Sequence, residues 1–371
     1  MEQFLAPVAY LLTPNEDEYQ RKLIEHYLHG IKKAEYFLEK PILSYKSSIG
    51  KMEINGQVIS VKNIVHLGQI KLMISEMIAL MKLKNIETMI YAGAAPGSHV
   101  KVLAYLFPSI KFHLFDPAEF DHQLTHYKNI SLYKRIFTDD DIKKFAGAPN
   151  SLFVSDIRTG SVTDMTESEF DENFEECVKD DMLMQMRWVI ELKMPALLKF
   201  RLPYIEKGGS DIIFEYLDGE IIVPPFGRPT SSETRLLVTY NEMEMKMKKY
   251  SCKEYEDSCY THNFKRMFAR YDFNPTIYKY ERLCNCHDCV LFIQTLNDIS
   301  DVVGIPTNSI IGHIVSLVHQ QIKSYHMPYY KDKIDYDYLL AHAGDILKER
   351  EKRDAKYGKH KMPLAGRKLK Q

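Results

Sequence analysis

Tyr91-Ala92-Gly93-Ala94-Ala95-Pro96-Gly97-Ser98-His99 follows the apolar pair Met89-Ile90 and precedes the helix-like Val100-Lys101-Val102-Leu103-Ala104-Tyr105-Leu106. A strand that enters a turn of small residues and leaves it as a helix is a cradle for a nucleotide-like ligand. Gly93 and Gly97 are expected to let backbone approach that ligand where a Cβ would collide, and Pro96 to fix the turn. The spacing is not G-x-G-x-x-G and no G-K-[ST] triplet is present, so neither a hydride-transfer dinucleotide nor a triphosphate is indicated. Roughly 20 residues beyond the turn, where open α/β sheets receive the ribose hydroxyls of an adenosine ligand, the run Phe112-His113-Leu114-Phe115 ends in Asp116.

Outward from the turn, strand-like runs at 88–92, 112–116 and 151–155 are separated by segments long enough for crossover helices, the pattern of a parallel sheet. Upstream, apolar residues recur at helical spacing from Leu67 to Leu83, predicting a buried helix against that sheet. Downstream, Met182 to Met194 reads as a helix carrying Trp188, and 196–200, 212–216 and 235–239 read as the strands of the sheet's second half. Pro224-Pro225-Phe226-Gly227-Arg228-Pro229 is a loop. The expected organisation is an extension over 1–60 with a helix at Glu16–Phe37, a core domain over 61–305, a helical addition over 306–345 and a basic tail over 346–371, disordered beyond about Gly358.

A chain of 371 residues that is 45% hydrophobic can bury one large core with additions. No run of about 18 apolar residues occurs and Met1-Glu2-Gln3 is no basic leader, so membrane spanning and secretion are not expected. Six cysteines are too few and too unevenly placed for a disulfide scaffold. Cys284-x-Cys286-His287-x-Cys289, with Cys252 and Cys259, could supply zinc ligands, but without a clean paired C-x2-C the default is reduced thiols and no metal. A net charge of −1 argues against a uniformly basic nucleic-acid binder, although the tail from Lys348 to Lys370 could touch phosphates.

Charged residues stand at two strand ends: Asp156 after Leu152-Phe153-Val154-Ser155, and Lys199 inside an apolar strand, where a lysine either snorkels or serves a site. Lys71 on an apolar helix face and Glu233 just before a strand complete a Lys-Asp-Lys-Glu set. Gly68-Gln69-Ile70-Lys71-Leu72, the turn 91–99, Ser155-Asp156-Ile157-Arg158, Leu198-Lys199-Phe200-Arg201-Leu202-Pro203-Tyr204 and Ser232-Glu233-Thr234-Arg235-Leu236-Leu237 together resemble the poxvirus family of cap-specific mRNA 2′-O-methyltransferases, in order, over about residues 66–306. Members of that family also serve as the small regulatory subunit of the poly(A) polymerase.

The resemblance implies a Rossmann-like S-adenosylmethionine-dependent methyltransferase fold, α/β, with a mixed, mainly parallel central sheet flanked by helices and helical additions at both ends. It makes Lys71, Asp156, Lys199 and Glu233 the catalytic tetrad, with Lys199 as candidate base. S-adenosylmethionine would be held by Gln69, Tyr91, Gly93, Pro96, Gly97, Ser98, His99, Asp116 and Ile157, with Ile136 and Phe137 sandwiching adenine. The family's Asp-Gly-Arg is Asp116-Pro117-Ala118 here, so that arginine is missing. The 7-methylguanine cap would stack on Tyr204 and a second aromatic, for which Tyr45 is a candidate, with Glu206 and Glu256 on the base edge. The implied activity is methylation of the first transcribed nucleotide of capped mRNA, cap 0 to cap 1. Alternatives are an RNA-binding processivity subunit of a viral poly(A) polymerase and a 2′-O-methyltransferase of uncapped RNA. The implied partners are capped mRNA and the polymerase catalytic subunit, and the implied place is host cytoplasm, with the virion as a second location.

Overall fold

The computed structural model describes residues 51–54, 57–60, 68–159, 167–205, 209–227, 231–240, 245–268, 287–307, 309–310 and 313–314. The expected helix at Glu16–Phe37, Tyr45, Glu206, Cys284, Cys286, most of the 306–345 addition and the basic tail lie outside the described residues.

After the antiparallel pair β1 (Lys51–Ile54) and β2 (Gln57–Ser60), helix α1 (Gly68–Leu83) leads into β3 (Thr88–Ala92), α2 (Val100–Leu106) and β4 (Lys111–Phe115). A short 3-10 turn at His122–His126 precedes β5 (Ile130–Tyr133), α3 (Asp139–Phe145), β6 (Ser151–Ser155), the long α4 (Glu167–Leu192) and β7 (Ala196–Phe200). Then follow β8 (Ile213–Leu217), β9 (Glu220–Ile222), β10 (Thr234–Val238), β11 (Met247–Ser251), α5 (Cys252–Phe268) and α6 (His287–Val303).

Seven strands form one sheet in the order β5-β4-β3-β6-β7-β10-β9. Strands β5 to β7 pair in parallel, and β10 runs antiparallel to both β7 and β9. Side chains alternate across the sheet with the period of two that a strand imposes. Met89, Tyr91, Leu152, Val154, Leu197 and Leu237 enter the core shared with α1, α2 and α6, whereas Ile90, Ala92, Phe153, Leu198, Phe200 and Leu236 enter the one shared with α3 and α4. A sheet covered on both faces is the Rossmann-like, mixed and mainly parallel architecture expected of the chain.

The strands at 88–92, 151–155 and 196–200 stand as read, and the second run lies one residue earlier, at 111–115. The run read at 212–216 is a correction: β8 pairs with β11 in a separate two-stranded sheet, and the short β9 takes the place beside β10. The apolar alternation of β8 is satisfied because Phe214 and Tyr216 pack under α5 beside Tyr250 and Phe200. Helix α4 begins at Glu167, well before the expected Met182; its first half is acidic, with Phe170, Phe174, Cys177 and Val178 recurring at helical spacing among the acids. Helix α3 is set by a reciprocal capping box between Thr138 and Asp141, with acids in its first turn and lysines in its last.

Candidate active site

In an open parallel sheet the carboxyl ends of the strands share one edge, and a reversed strand brings its amino end there as well. That geometry gathers residues from four separated segments. Lys71 stands in the first turn of α1, Asp156 follows β6, Lys199 is one residue from the end of β7, and Glu233 precedes β10. Lys71 Nζ lies 2.5 Å from Glu233 Oε1, and Lys199 Nζ lies 3.1 Å from Asp156 Oδ1 and 3.6 Å from Glu233 Oε2. The four residues read as a set from the sequence are thus brought together.

A fifth member carries no role in the sequence reading. Arg235, 3% exposed, sits opposite Lys199 in the β7–β10 ladder. It donates to Asp156 Oδ1 at 2.7 Å and to Glu233 Oε1 at 3.3 Å. Its signal was available, since an arginine opening the apolar run Leu236-Leu237-Val238 poses the same question as Lys199 in its own strand. Three cations therefore share two carboxylates. Burial would raise the Glu233 carboxyl, but Lys199, Lys71 and Arg235 outweigh it and hold the group well below the usual carboxylate range. Burial pushes the Lys71 amine down, assisted by the charges of Arg235 and Lys199 and opposed by Glu233. A cavity of about 240 Å³ opens beside this cluster, with Lys71, Glu233, Pro224 and Asn263 in its wall.

The glycine-bearing turn lies at the same edge. Gly93, at φ +79°, has the space of a Cβ filled by the backbone of Asp156 and Ile157, 2.9 Å away. Gly97, at φ +67°, has that space filled by the Ala94 carbonyl oxygen at 3.0 Å and by Leu124 at 3.2 Å. Both glycines are therefore demanded by contacts within the protein. The Ala95–Pro96 peptide is cis, and Pro96 is exposed at the tip. Asp116 accepts from Ala95 N–H at 3.1 Å and Ala118 N–H at 2.8 Å, which fixes its carboxylate at the end of β4 with further lone pairs available.

Several residues assigned to the cofactor lie beneath this surface. Tyr91 and His99 are wholly buried. His99 Nδ1 meets Gln69 Oε1 at 2.8 Å and Nε2 meets Glu76 Oε2 at 3.0 Å, so the histidine braces the first and third turns of α1 against the glycine turn. The buried Ser98 hydroxyl serves Asp121, whose own backbone N–H donates to Pro96 O at 2.8 Å. Phe137 is 6% exposed and packs edge-on against Phe115 and Trp188, while Ile136 beside it is 65% exposed. The side chain presented at the surface is Ile136, and Phe137 belongs to the core. Ile157 is half-buried next to Asp156.

Tyr204 is half-buried and receives a hydrogen bond on its hydroxyl from Ser232 Oγ at 3.1 Å, beside Glu233. Tyr255 OH donates to the Ser232 carbonyl and lies 3.0 Å from Thr234 Oγ1, fastening α5, and Glu256 with it, to the same edge. Burial pushes the thiols of Cys252 and Cys259 up to about 12. Among the described residues no group of three or more acidic, cysteine or histidine side chains could hold a metal, and no helix is long and apolar enough to cross a membrane.

The family model described as "Poly A polymerase regulatory subunit" matches residues 37–295. A cap-specific mRNA (nucleoside-2′-O-)-methyltransferase of Fowlpox virus (strain NVSL) is 26% identical over 247 residues, 62% of this chain and 77% of that protein. The protein of the same name from Myxoma virus (strain Lausanne) is 24% identical over 226 residues, 57% of this chain and 64% of that protein, so the chain spans less than two thirds of the myxoma relative. With about seven-tenths of its length inside the family model and a Rossmann-like sheet, this chain belongs to the Poly A polymerase regulatory subunit family.

Proposed function

We propose that this protein methylates the ribose 2′-oxygen of the first transcribed nucleotide of 7-methylguanosine-capped mRNA, using S-adenosylmethionine. The observation that supports this reading above all is the shared contact of Lys71, Asp156, Lys199 and Glu233 at the edge that also carries Asp116 and the 91–99 turn. The names of the fowlpox and myxoma relatives point the same way.

The residues present fit such a cofactor in kind. Asp116 offers a fixed carboxylate to ribose hydroxyls, exposed Ile136 and half-buried Ile157 offer apolar surface to adenine, and Asp156 stands nearest the acceptor. Bound S-adenosylmethionine supplies a methyl on a sulfonium, so transfer disperses charge and asks for alignment more than for a metal. The protein's task is the proton. Lys199 Nζ accepts the 2′-hydroxyl proton as the oxygen attacks, Lys71 and Arg235 stabilise the growing negative charge, and Asp156 and Glu233 hold the cations in place. With three cations on two carboxylates, one neutral amine balances the cluster, which favours a lysine that reacts without its proton. A second reading exchanges the lysines, because burial already lowers the pKa of Lys71.

Cap recognition follows from Tyr204, with Glu256 close by on α5 and Glu206 and Tyr45 as further candidates. Polymerase partnership is a second role of the same chain, in keeping with the description of its family, and host cytoplasm is the proposed place of action. The test is methyl transfer from labelled S-adenosylmethionine to short RNAs bearing a 7-methylguanosine cap, an unmethylated cap or none. Labelling of the first alone is expected. Equal labelling of all three overturns cap specificity, and no labelling at all overturns the enzymatic reading in favour of the polymerase role.

A further inference from the structure

Glu175 belongs to no motif and lies in the acidic first half of α4. Its carboxylate accepts both arms of the Arg201 guanidinium, at 2.6 Å and 3.3 Å, and the backbone N–H of Tyr204 at 2.9 Å. Arg201 is 5% exposed, and its guanidinium lies 4.1 Å from the centroid of the Tyr204 ring. The ring is thereby held from three directions: backbone by Glu175, one face by Arg201 and hydroxyl by Ser232. A planar ligand that stacks on this ring has to use the face opposite Arg201. Stacking there meets an electrostatic conflict, because a cation behind the ring weakens the attraction of the free face for a second cation. The nearby Arg158 adds to that positive charge and has its own partner in Asp181, 3.6 Å away.

We propose that Glu175 is a positioning residue that aims the Tyr204 ring and cancels the Arg201 charge behind it, so that stacking on the opposite face prefers a positively charged base over its neutral counterpart. The inference rests on the reading of Tyr204 as the cap-stacking residue and assigns the preference for the 7-methylated base to a carboxylate that never touches that base. The bidentate pair is the geometry that best neutralises a guanidinium while fixing its plane, which is what a backing plate for an aromatic ring requires.

The test is equilibrium binding of two dinucleotide cap analogues to the full chain, one with 7-methylguanine and one with unmethylated guanine. The unaltered protein should prefer the methylated analogue, and Glu175→Gln should reduce that preference by roughly three- to tenfold at unchanged S-adenosylmethionine affinity. Adding Arg201→Met to Glu175→Gln removes the uncompensated charge and should restore the preference, a rescue that a merely structural role for Glu175 would not give. If Glu175→Gln does not fold, Glu175→Asp takes its place: with the charge kept and the reach shortened, it should bind both analogues more weakly and keep the preference. An unchanged preference in Glu175→Gln, no rescue in the double variant, or a lost preference in Glu175→Asp overturns the inference. Equal binding of the two analogues by the unaltered protein instead overturns the cap reading on which it rests.

Discussion

On the parallel side of the sheet, β3 and β4 shape the catalytic edge with backbone: two glycines at positive φ, a turn clamped between Asp116 and Asp121, and peptide groups packed 2.9 Å from where a Cβ would stand. On the antiparallel side, β7 and β10 shape it with charge: Lys199 and Arg235 face each other across the ladder and are joined through Asp156 and Glu233. A change on the first side should disturb shape and reach chemistry through it. A change on the second should disturb the proton directly and leave shape largely intact.

The largest expected effect is that of Lys199→Ala. Loss of a general base lowers transfer by about 10²–10⁴-fold, while S-adenosylmethionine affinity, set on the other side, should stay within about threefold by calorimetry. Retained turnover in that variant, with turnover lost in Lys71→Ala, would move the base to Lys71. Gly93→Ala should behave in the opposite way. Positive φ and the collision with the Asp156–Ile157 backbone should cost about 1–3 kcal/mol of stability, read as a lower melting temperature, with activity falling in step; an unchanged melting temperature would show that the turn relaxes. The smallest effect is one of pH. The folded Glu233 carboxyl is held below its unfolded value of about 4.3, so the folded state releases that proton more readily. Its contribution to stability is full above that value and is lost as pH falls through the folded pKa. The stability difference between the unaltered protein and Glu233→Gln should therefore shrink on acidification from about pH 5; a constant difference would mean that the carboxyl gains nothing from its three cations.

The same contrast governs how much could be read from sequence. The parallel side is written in local grammar, a strand, a small-residue turn, a helix and a carboxylate about 20 residues later, and each element is visible in a short window. Lys71, Asp156, Lys199 and Glu233 are ambiguous singly, since each is also an ordinary solvated or snorkelling residue, and they became a set through the order of five motifs. Arg235 in its apolar run raises the same question as Lys199, but the answer depends on which residue of β7 lies opposite, a property of strand register that no window contains. Phe137 and Ile136 are neighbours on a strand-like turn, and sequence could not say which of the two turns inward. Strand β5, four residues long and half-exposed at the sheet's rim, offers no such window, and in the first half of α4 acidic residues dilute the helical spacing of Phe170, Phe174 and Val178.

The cross-strand meeting of Lys199 and Arg235 has a consequence for how the chain finds its fold. Two cations directly opposite each other repel, and a hairpin-like pair of apolar strands could relieve that by slipping one residue. Slippage of β10 would turn the Arg235 side chain into the aromatic layer around Phe200 and Tyr216, away from Asp156 and Glu233. Asp156 and Glu233 thus act as a clasp that closes in a single alignment of β7 on β10. Assembly of the reactive cluster and proofreading of the strand alignment are then the same event.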